Sequence, residues 1–261
     1  MEIPARERGN GRFFVPFIMA GDPSVMATLQ VVDALVAAGA DVLELGVPFT
    51  DPMADGPVIQ AAAERGLRNC PSLRSTLGVV QAIHGRHPKL PIVVFTYLNP
   101  LFVMGFDAAA VAMKVAGAAG VLVIDLPPEE SDAHVKAMRA QDIDTIFLAS
   151  PTTTEARLKH IGELSRGFVY YVSRLGVTGV QRELSQTLGE ELTRVRTVVK
   201  LPIAVGFGIA SGAQARAVAA LAEGVVVGSA FVDRIAKAGS DAERVRQVSE
   251  LARDIVTGVR G

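Results

Sequence analysis

The chain alternates between short apolar runs and longer segments in which apolar residues recur every three or four positions. Most of the runs are rich in β-branched and aromatic residues, and they lie at 13–19, 41–47, 91–97, 120–126, 144–150, 167–173, 202–207 and 224–230. Apolar runs without alternation are typical of parallel strands that are buried on both faces, and the intervening period is that of amphipathic helices. The pattern therefore predicts eight strands separated by helices.

The expected starts and ends of helices are marked by residues with capping chemistry. Side-chain oxygens can accept hydrogen bonds from the free N–H groups of a first helical turn, and glycine often ends a helix. The helix after the first strand should end at Gly39-Ala40, and an extra helix is expected at about 57–68, in the longest gap between strands. Four predicted helices start at Asp22-Pro23, Ser72, Asp107 and Ser211.

Eight strands that alternate with helices predict an α/β fold, a closed (β/α)8 TIM barrel. No shift in composition marks a boundary, so residues 1–261 are predicted to form a single domain, with a polar N-terminal segment at 1–12. An open, doubly wound sheet is the alternative. It is disfavoured because the G-x-G-x-x-G turn of a dinucleotide fold does not follow the first strand.

Composition narrows the classes of function. Lys and Arg number 26 against 27 Asp and Glu, which gives no basic surface for nucleic acid or for an acidic membrane. The one cysteine, Cys70, cannot form an internal disulfide, as expected in a reducing compartment. The N-terminus is polar, and no apolar run is long enough to span a membrane. We therefore expect a soluble, cytoplasmic protein.

In TIM barrels the active site lies at the carboxyl ends of the strands. The lysines and histidines lie in helical segments or before strands, which disfavours Schiff-base chemistry and a zinc site. What remains is acid–base chemistry by carboxylates, without a metal or another cofactor. The polar residues at or after predicted strand ends are Glu44, Asp51, Asp55, Tyr97, Asp125, Tyr170, Tyr171, Ser173 and Arg174.

Glu44 is the most informative of these residues because it interrupts an apolar strand, in the stretch LELGVPFTDPMADGP at 43–57. Burial near the top of a barrel would raise the pKa of this carboxyl toward the range that suits proton transfer. A structural ion pair with an arginine is the alternative. Asp55 could cap the helix that starts near Pro57, and Asp51 and Asp125 could serve only their loops.

Glycines follow three neighbouring strands, at 175–179, 206–212 and 228–229, and a short helical segment follows at 230–238. Glycine lets backbone N–H groups approach an anion, and TIM barrels often bind phosphate after strands 7 and 8. The pattern favours a phosphate site over glycines that only form tight turns.

The chain resembles the tryptophan synthase alpha subunits. Their signature around the catalytic glutamate is very close to the stretch at 43–57, and the likeness continues in order through 14–23, 123–131, 173–179, 206–209 and 227–230. The resemblance implies retro-aldol cleavage of indole-3-glycerol phosphate to indole and glyceraldehyde 3-phosphate. It implies no cofactor in this chain, and an α2β2 complex with a beta subunit that holds pyridoxal phosphate.

The resemblance also implies roles for matching residues. Glu44 matches the general acid–base, and Asp55 matches the aspartate at the indole N–H. Loop 48–57 would lie near the beta subunit, and Thr178 belongs to a loop that closes over substrate and positions Asp55. Phosphate would be held near Gly179, Gly208, Gly228 and Ser229, and Phe17, Tyr97, Tyr170 and Phe207 would line the substrate cavity.

The sequence differs from the family in two places, and it leaves three alternative functions open. Relatives begin with an amphipathic helix that closes the bottom of the barrel, and here few polar residues precede Phe14. Ala210 replaces a common serine, so Ser211 is expected to cap the next helix. The alternatives are a stand-alone lyase that releases indole, a weakly catalytic activator of the beta subunit, and a different phosphate-binding barrel such as a sugar-phosphate isomerase.

Overall fold

The structure, a computed structural model, describes residues 1, 11–173, 181–206 and 208–261, with the side chains of 181–186 excepted. Its strands are β1 (Phe13–Met19), β2 (Leu43–Gly46), β3 (Ile92–Thr96), β4 (Gly120–Val123), β5 (Asp144–Ile146), β6 (Leu148–Ala149), β7 (Val169–Val172), β8 (Ile203–Gly206) and β9 (Gly224–Val227). Its helices are α1 (Val25–Ala38), α2 (Pro57–Leu67), α3 (Leu73–Arg86), α4 (Leu98–Met104), α5 (Phe106–Ala116), α6 (Asp132–Ala140), α7 (Glu155–Leu164), α8 (Gln181–Val198), α9 (Gly212–Ala219), α10 (Ser229–Lys237) and α11 (Asp241–Arg260), with a 3-10 helix at Pro128–Glu130.

All described strand pairs are parallel and follow the order β5-β4-β3-β2-β1-β9-β8-β7-β6. The two outer strands, β5 and β6, belong to the single run predicted at 144–150, which is divided at Phe147. Asp144 pairs with Gly120 of β4, whereas Leu148 pairs with Tyr170 of β7. The run thus bridges the two ends of the sheet, and the predicted TIM barrel is confirmed as a sheet that is nearly closed.

Most of the predicted helix boundaries are confirmed. Ser72 forms a capping box with Ser75, Ser211 caps α9, and Gly39 ends α1 in the left-handed conformation. The extra helix after β2 is also present, as α2.

Two predicted helix starts are wrong. The side chain of Ser24, not Asp22, accepts a hydrogen bond from the Ala27 N–H at the start of α1. Asp22 is buried and instead binds Arg65 of α2 through both carboxylate oxygens, at 2.7 and 2.8 Å. Helix α5 follows directly after Gly105, whose φ of +83° ends α4, so Asp107 lies inside the first turn of α5. In both places a neighbouring residue takes the cap position.

The hydrophobic core has one layer between the sheet and the helices and another inside the barrel. The rings of Phe13 and Phe168 lie 5.7 Å apart at the amino-terminal ends of their strands. Because Gly224 has no side chain, the Phe13 ring can lie directly against it. The interior layer fills the lower barrel, so any cavity must lie above it, and it consists of Phe13, Val15, Val42, Val93, Leu122, Ile146, Phe168, Ala204 and Val226.

Helices α4 and α5 form the most exposed apolar surface among the described residues. Phe102, Val103 and Val115 are all more than 70% exposed. The two helices are bent by 100° at Gly105, and together they are long and apolar enough to cross a membrane, although no single helix of the described residues is.

Candidate active site

A cavity of about 420 Å³ opens at the carboxyl ends of the strands. It brings together seven of the residues that the sequence predicted for the site: Phe17, Glu44, Asp55, Tyr170, Gly208, Gly228 and Ser229. Tyr97 is not among the lining residues. Thr178, Gly179 and Phe207 lie outside the described residues.

Glu44 lies on β2, between Phe17 of β1 and Val93 of β3. Only 1% of its surface is exposed, and its Oε1 atom has no hydrogen-bond partner among the described residues. The described ion pairs include none between Glu44 and an arginine, so the structure does not support the alternative that Glu44 forms a structural ion pair. Burial raises the pKa of Glu44 from 4.5 to about 8. At neutral pH this group is therefore mainly a carboxylic acid, which can donate a proton.

Asp55 lies in the loop between β2 and α2, where it is half-buried. It does not cap α2, because Gly56 occupies the cap position and no side chain caps the start of this helix. Instead, its Oδ2 atom accepts a hydrogen bond of 2.9 Å from the Tyr97 hydroxyl. Burial raises the pKa of Asp55, and the bond from Tyr97 acts in the opposite direction. The carboxylate thus lines the cavity from a defined position.

Tyr170 forms part of the cavity wall on β7. Its pKa lies well above the ordinary value because the phenol is buried and because the charge of Glu44 opposes ionisation. Gly206 of β8 faces the phenol, and a side chain at Gly206 would collide with the Tyr170 hydroxyl. The glycine at 206 leaves room for the Tyr170 ring, which places an uncharged phenol close to Glu44.

Gly208, Gly228 and Ser229 form one side of the cavity. Gly208 has a φ of +72°, which favours glycine, and Gly228 precedes the first residue of α10. The first N–H groups of a helix have no partner within the helix, and its N-terminus favours an anion. No acidic residue lies in the first turn of α10. This side of the cavity can therefore receive a phosphate group.

The other cavity residues are mostly apolar, and sequence reasoning missed them. They include Ile59, Phe95, Ile124, Leu148 and Ile209. A signal for three of them was available, because alternate residues of a strand face the same side. Counting two residues beyond the last interior core residue of each of the eight predicted strands reaches Phe17, Glu44, Phe95, Ile124, Leu148, Tyr170, Gly206 and Gly228.

The other polar candidates that the structure describes do not line the cavity, and Arg174 lies outside the described residues. Asp125 accepts a hydrogen bond of 2.6 Å from the N–H of Leu98, the first residue of α4. Asp51 is exposed and accepts a hydrogen bond from the Thr50 hydroxyl. Tyr171 points away from the cavity into the outer core layer, where it donates to Glu191 of α8. Among the described residues, no group of three or more Asp, Glu, His or Cys side chains could hold a metal ion.

The family model that describes the tryptophan synthase alpha chain matches residues 4–259. The chain belongs to this family. The tryptophan synthase alpha chain of Thioalkalivibrio sulfidiphilus is 48% identical over 238 residues, which cover 91% of this chain and 90% of that one. The alpha chain of Dechloromonas aromatica is 45% identical over 255 residues, or 97% and 95% of the two chains.

Solved structures of tryptophan synthase alpha chains agree with this fold. The subunit alpha of Legionella pneumophila has a TM-score of 0.89 at 34% identity, with 99% of this chain and 96% of that one covered. A ligand-free tryptophan synthase from M. tuberculosis has a TM-score of 0.86 at 37% identity, with 97% and 96% covered. As a tryptophan synthase alpha chain, the protein is a lyase of tryptophan biosynthesis that cleaves indole-3-glycerol phosphate.

Proposed function

We propose that the cavity binds indole-3-glycerol phosphate and cleaves it by a retro-aldol reaction in which Glu44 moves the protons. The observation that carries this proposal is a buried carboxyl group without a described hydrogen-bond partner in the wall of a largely apolar cavity. A pKa of about 8 gives Glu44 the protonated form at neutral pH. General acids and bases are most efficient when their pKa lies near the working pH.

The reaction balances with Glu44 alone as the proton carrier. The acid form donates its proton to C3 of the indole ring, which places a positive charge on the ring. The bond between C3 and the glycerol carbon then breaks, and its electron pair returns to the ring. The glycerol hydroxyl on that carbon becomes the aldehyde and gives its proton to the Glu44 carboxylate. Glu44 ends protonated, and the products are indole and glyceraldehyde 3-phosphate.

Asp55 supplies the second charge in this proposal. Positive charge on the protonated ring is shared with the ring nitrogen, whose N–H becomes a stronger donor. A carboxylate that accepts this N–H stabilises the charged ring more than the neutral substrate, and such selective stabilisation lowers the barrier. The position of Asp55 on the cavity supports this role.

The substrate's phosphate and ring fit different sides of the cavity. We assign the phosphate to backbone N–H groups near Gly208, Gly228 and Ser229, and to Gly179 in the part of the chain that the structure does not describe. The indole ring would lie between Phe17 and Tyr170, together with Phe207. Thr178 would act from a loop that closes over the substrate and excludes water.

The resemblance to the family extends the proposal beyond this site. The chain would act in the cytoplasm as one domain of residues 1–261, with no cofactor of its own. It would form an α2β2 heterotetramer with the tryptophan synthase beta subunit, which would hold pyridoxal phosphate. The exposed loop that contains Met53 would lie near that partner. A stand-alone lyase and a weakly catalytic activator of the beta subunit remain the alternatives.

Replacing each carboxylate by its amide tests the proposal. Glu44→Gln should lower kcat by about 10²- to 10⁴-fold, the usual contribution of general acid–base catalysis, with substrate affinity largely kept. Asp55→Asn should also lower kcat, because the neutral amide cannot stabilise the charged ring. Both variants and the wild type are assayed with saturating indole-3-glycerol phosphate, and binding is measured by calorimetry. Near-full turnover by Glu44→Gln would exclude the acid–base role.

Adding a purified beta subunit to the same assay separates the three forms of the function. An alpha chain that works in the complex should release indole slowly alone and faster with the partner. Full activity alone would favour the stand-alone lyase. An activator would stimulate the beta subunit without releasing indole, even with Glu44 and Asp55 intact.

A further inference from the structure

Tyr97 lies behind Asp55 rather than in the cavity wall. It is buried, with 4% of its surface exposed, and it directly follows β3 at the start of α4. Phe95 faces the cavity two residues earlier. Since the strand ends at Thr96, its alternation does not continue, and the Tyr97 ring turns toward the loop that holds Asp55.

The Tyr97 hydroxyl joins two consecutive residues of that loop. It accepts a hydrogen bond of 3.1 Å from the Ala54 N–H and donates one of 2.9 Å to the Asp55 carboxylate. Within the described residues, no other group donates a hydrogen bond to that carboxylate. The backbone of Asp55 is held by bonds to the Pro52 carbonyl and from the Gln60 side chain. The surrounding loop is largely exposed, so among the described residues the hydroxyl is the hydrogen-bonding group that restrains the Asp55 side chain.

Tyr97 is itself held firmly on both sides. Its ring stacks on Phe49 with a centroid distance of 5.1 Å and an interplanar angle of 27°. The next residue, Leu98, donates its N–H to Asp125, which anchors the start of α4. A side chain fixed by such contacts can hold a catalytic group in place, as supporting residues do around metal ligands.

We propose that Tyr97 is a positioning residue whose hydroxyl aims the Asp55 carboxylate at the substrate ring, without touching the substrate. The proposal rests on the role given to Asp55 under the proposed function. It revises the sequence-based expectation that Tyr97 lines the cavity.

The effect of the Tyr97 hydroxyl can be measured through the pKa of Asp55, which depends on the titratable groups around it. Glu44 and Tyr170 face it across the cavity, Asp51 lies on its own loop, and Asp125 acts on Tyr97 from the end of β4. All of these groups are acidic, and no described cation is among the causes of the Asp55 pKa shift. The hydrogen bond from Tyr97 is the interaction that lowers the Asp55 pKa against burial. Removing the hydroxyl should therefore raise this pKa.

Tyr97→Phe removes the hydroxyl and keeps the ring, and Tyr171→Phe is the matched control. Tyr171 also donates a 2.9 Å hydrogen bond to a carboxylate, that of Glu191, but outside the cavity. The pKa of Asp55 is measured by carbon-13 NMR on chains with labelled aspartate, and its signal is assigned by its loss in Asp55→Asn. We expect Tyr97→Phe to raise the pKa of Asp55, because a hydrogen bond to the charged carboxylate is lost, and Tyr171→Phe to leave it unchanged.

Kinetics give the second readout. With the beta subunit present, Tyr97→Phe should lower kcat by about 10- to 100-fold, the usual effect of losing a supporting residue, and leave KM nearly unchanged. The same change in the Asp55→Asn background should cause no further loss, because the two residues act as one unit. A raised KM with unchanged kcat would overturn the proposal in favour of substrate contact.

An unchanged Asp55 pKa, with equal losses of stability in both tyrosine variants, would also overturn the proposal and leave Tyr97 a structural role. Full activity of Asp55→Asn itself would instead refute the catalytic role of Asp55. The NMR comparison would still decide whether the hydroxyl orders that carboxylate, so the two failures are distinguishable.

Discussion

The buried carboxyl of Glu44 should make the stability of the folded chain depend on pH in a way that one substitution removes. In the unfolded chain this group titrates near 4.5, and in the folded chain near 8. Between these values the unfolded state releases its proton while the folded state keeps it. The unfolded state therefore binds fewer protons, and the free energy of unfolding falls as pH rises through this interval.

The size of the effect follows from the two pKa values. Stability changes by about 1.4 kcal/mol for each pH unit over which only one state is ionised. The full interval of 8 minus 4.5 therefore gives a ceiling of about 5 kcal/mol, and the part between pH 6 and 8 about 2 to 3 kcal/mol. The contribution is complete below pH 4.5, is lost progressively up to about pH 8, and stays absent above it.

Glu44→Gln removes the titrating group and keeps the shape of the side chain. The free energy of unfolding is measured by urea denaturation at pH 6, 7, 8 and 9 for both chains. The free energy of unfolding of the variant, relative to that of the wild type, should rise by about 1.4 kcal/mol per pH unit from pH 6. This difference should level off above pH 8. Glu64→Gln, at an exposed position on α2, is the control and should give a constant difference. A constant difference for Glu44→Gln as well would refute the claim that Glu44 is buried as an acid.

Three further outcomes are expected from the site. The kcat/KM for indole-3-glycerol phosphate should fall above about pH 8, because Glu44 must be protonated to attack the ring; a flat profile up to pH 9 would contradict this. Ser229→Asp should raise KM by at least about 100-fold, because the added carboxylate repels the phosphate. Thermal unfolding should show an unchanged or more stable fold, because an acidic residue at a helix N-terminus is favourable. Gly208→Val should strain the backbone at its φ of +72° and weaken phosphate binding, whereas Gly85→Val, at an open helix position, is a control that should leave KM unchanged.

Much of the architecture could be predicted from the sequence because it depends on local pattern. Eight apolar runs located the barrel strands, and Ser72, Ser211 and Gly39 marked helix ends by their own chemistry. The division of the run at 144–150 could not be predicted, because it reflects which neighbour each half pairs with across the barrel. The cap at Ser24 was missed because Asp22 has the same capping chemistry, and only its bond to Arg65, distant in sequence, distinguishes the two.

The site was predictable to a smaller extent. Glu44 was evident because a carboxylate interrupts an apolar strand, and its burial then follows from the alternation along β2. The partner of Asp55 was not evident, because Tyr97 is far from it in sequence and its direction depends on where β3 ends. The apolar cavity residues look like ordinary core residues in the sequence. Only their place two residues beyond the interior layer separates them.

The most direct test of the central claim is indole release from indole-3-glycerol phosphate by the purified chain, with and without a beta subunit. Indole and glyceraldehyde 3-phosphate should appear in equal amounts, faster with the partner, and Glu44→Gln should release almost none under either condition. No indole from the wild-type chain under both conditions would contradict the assignment of this cavity as the site of cleavage.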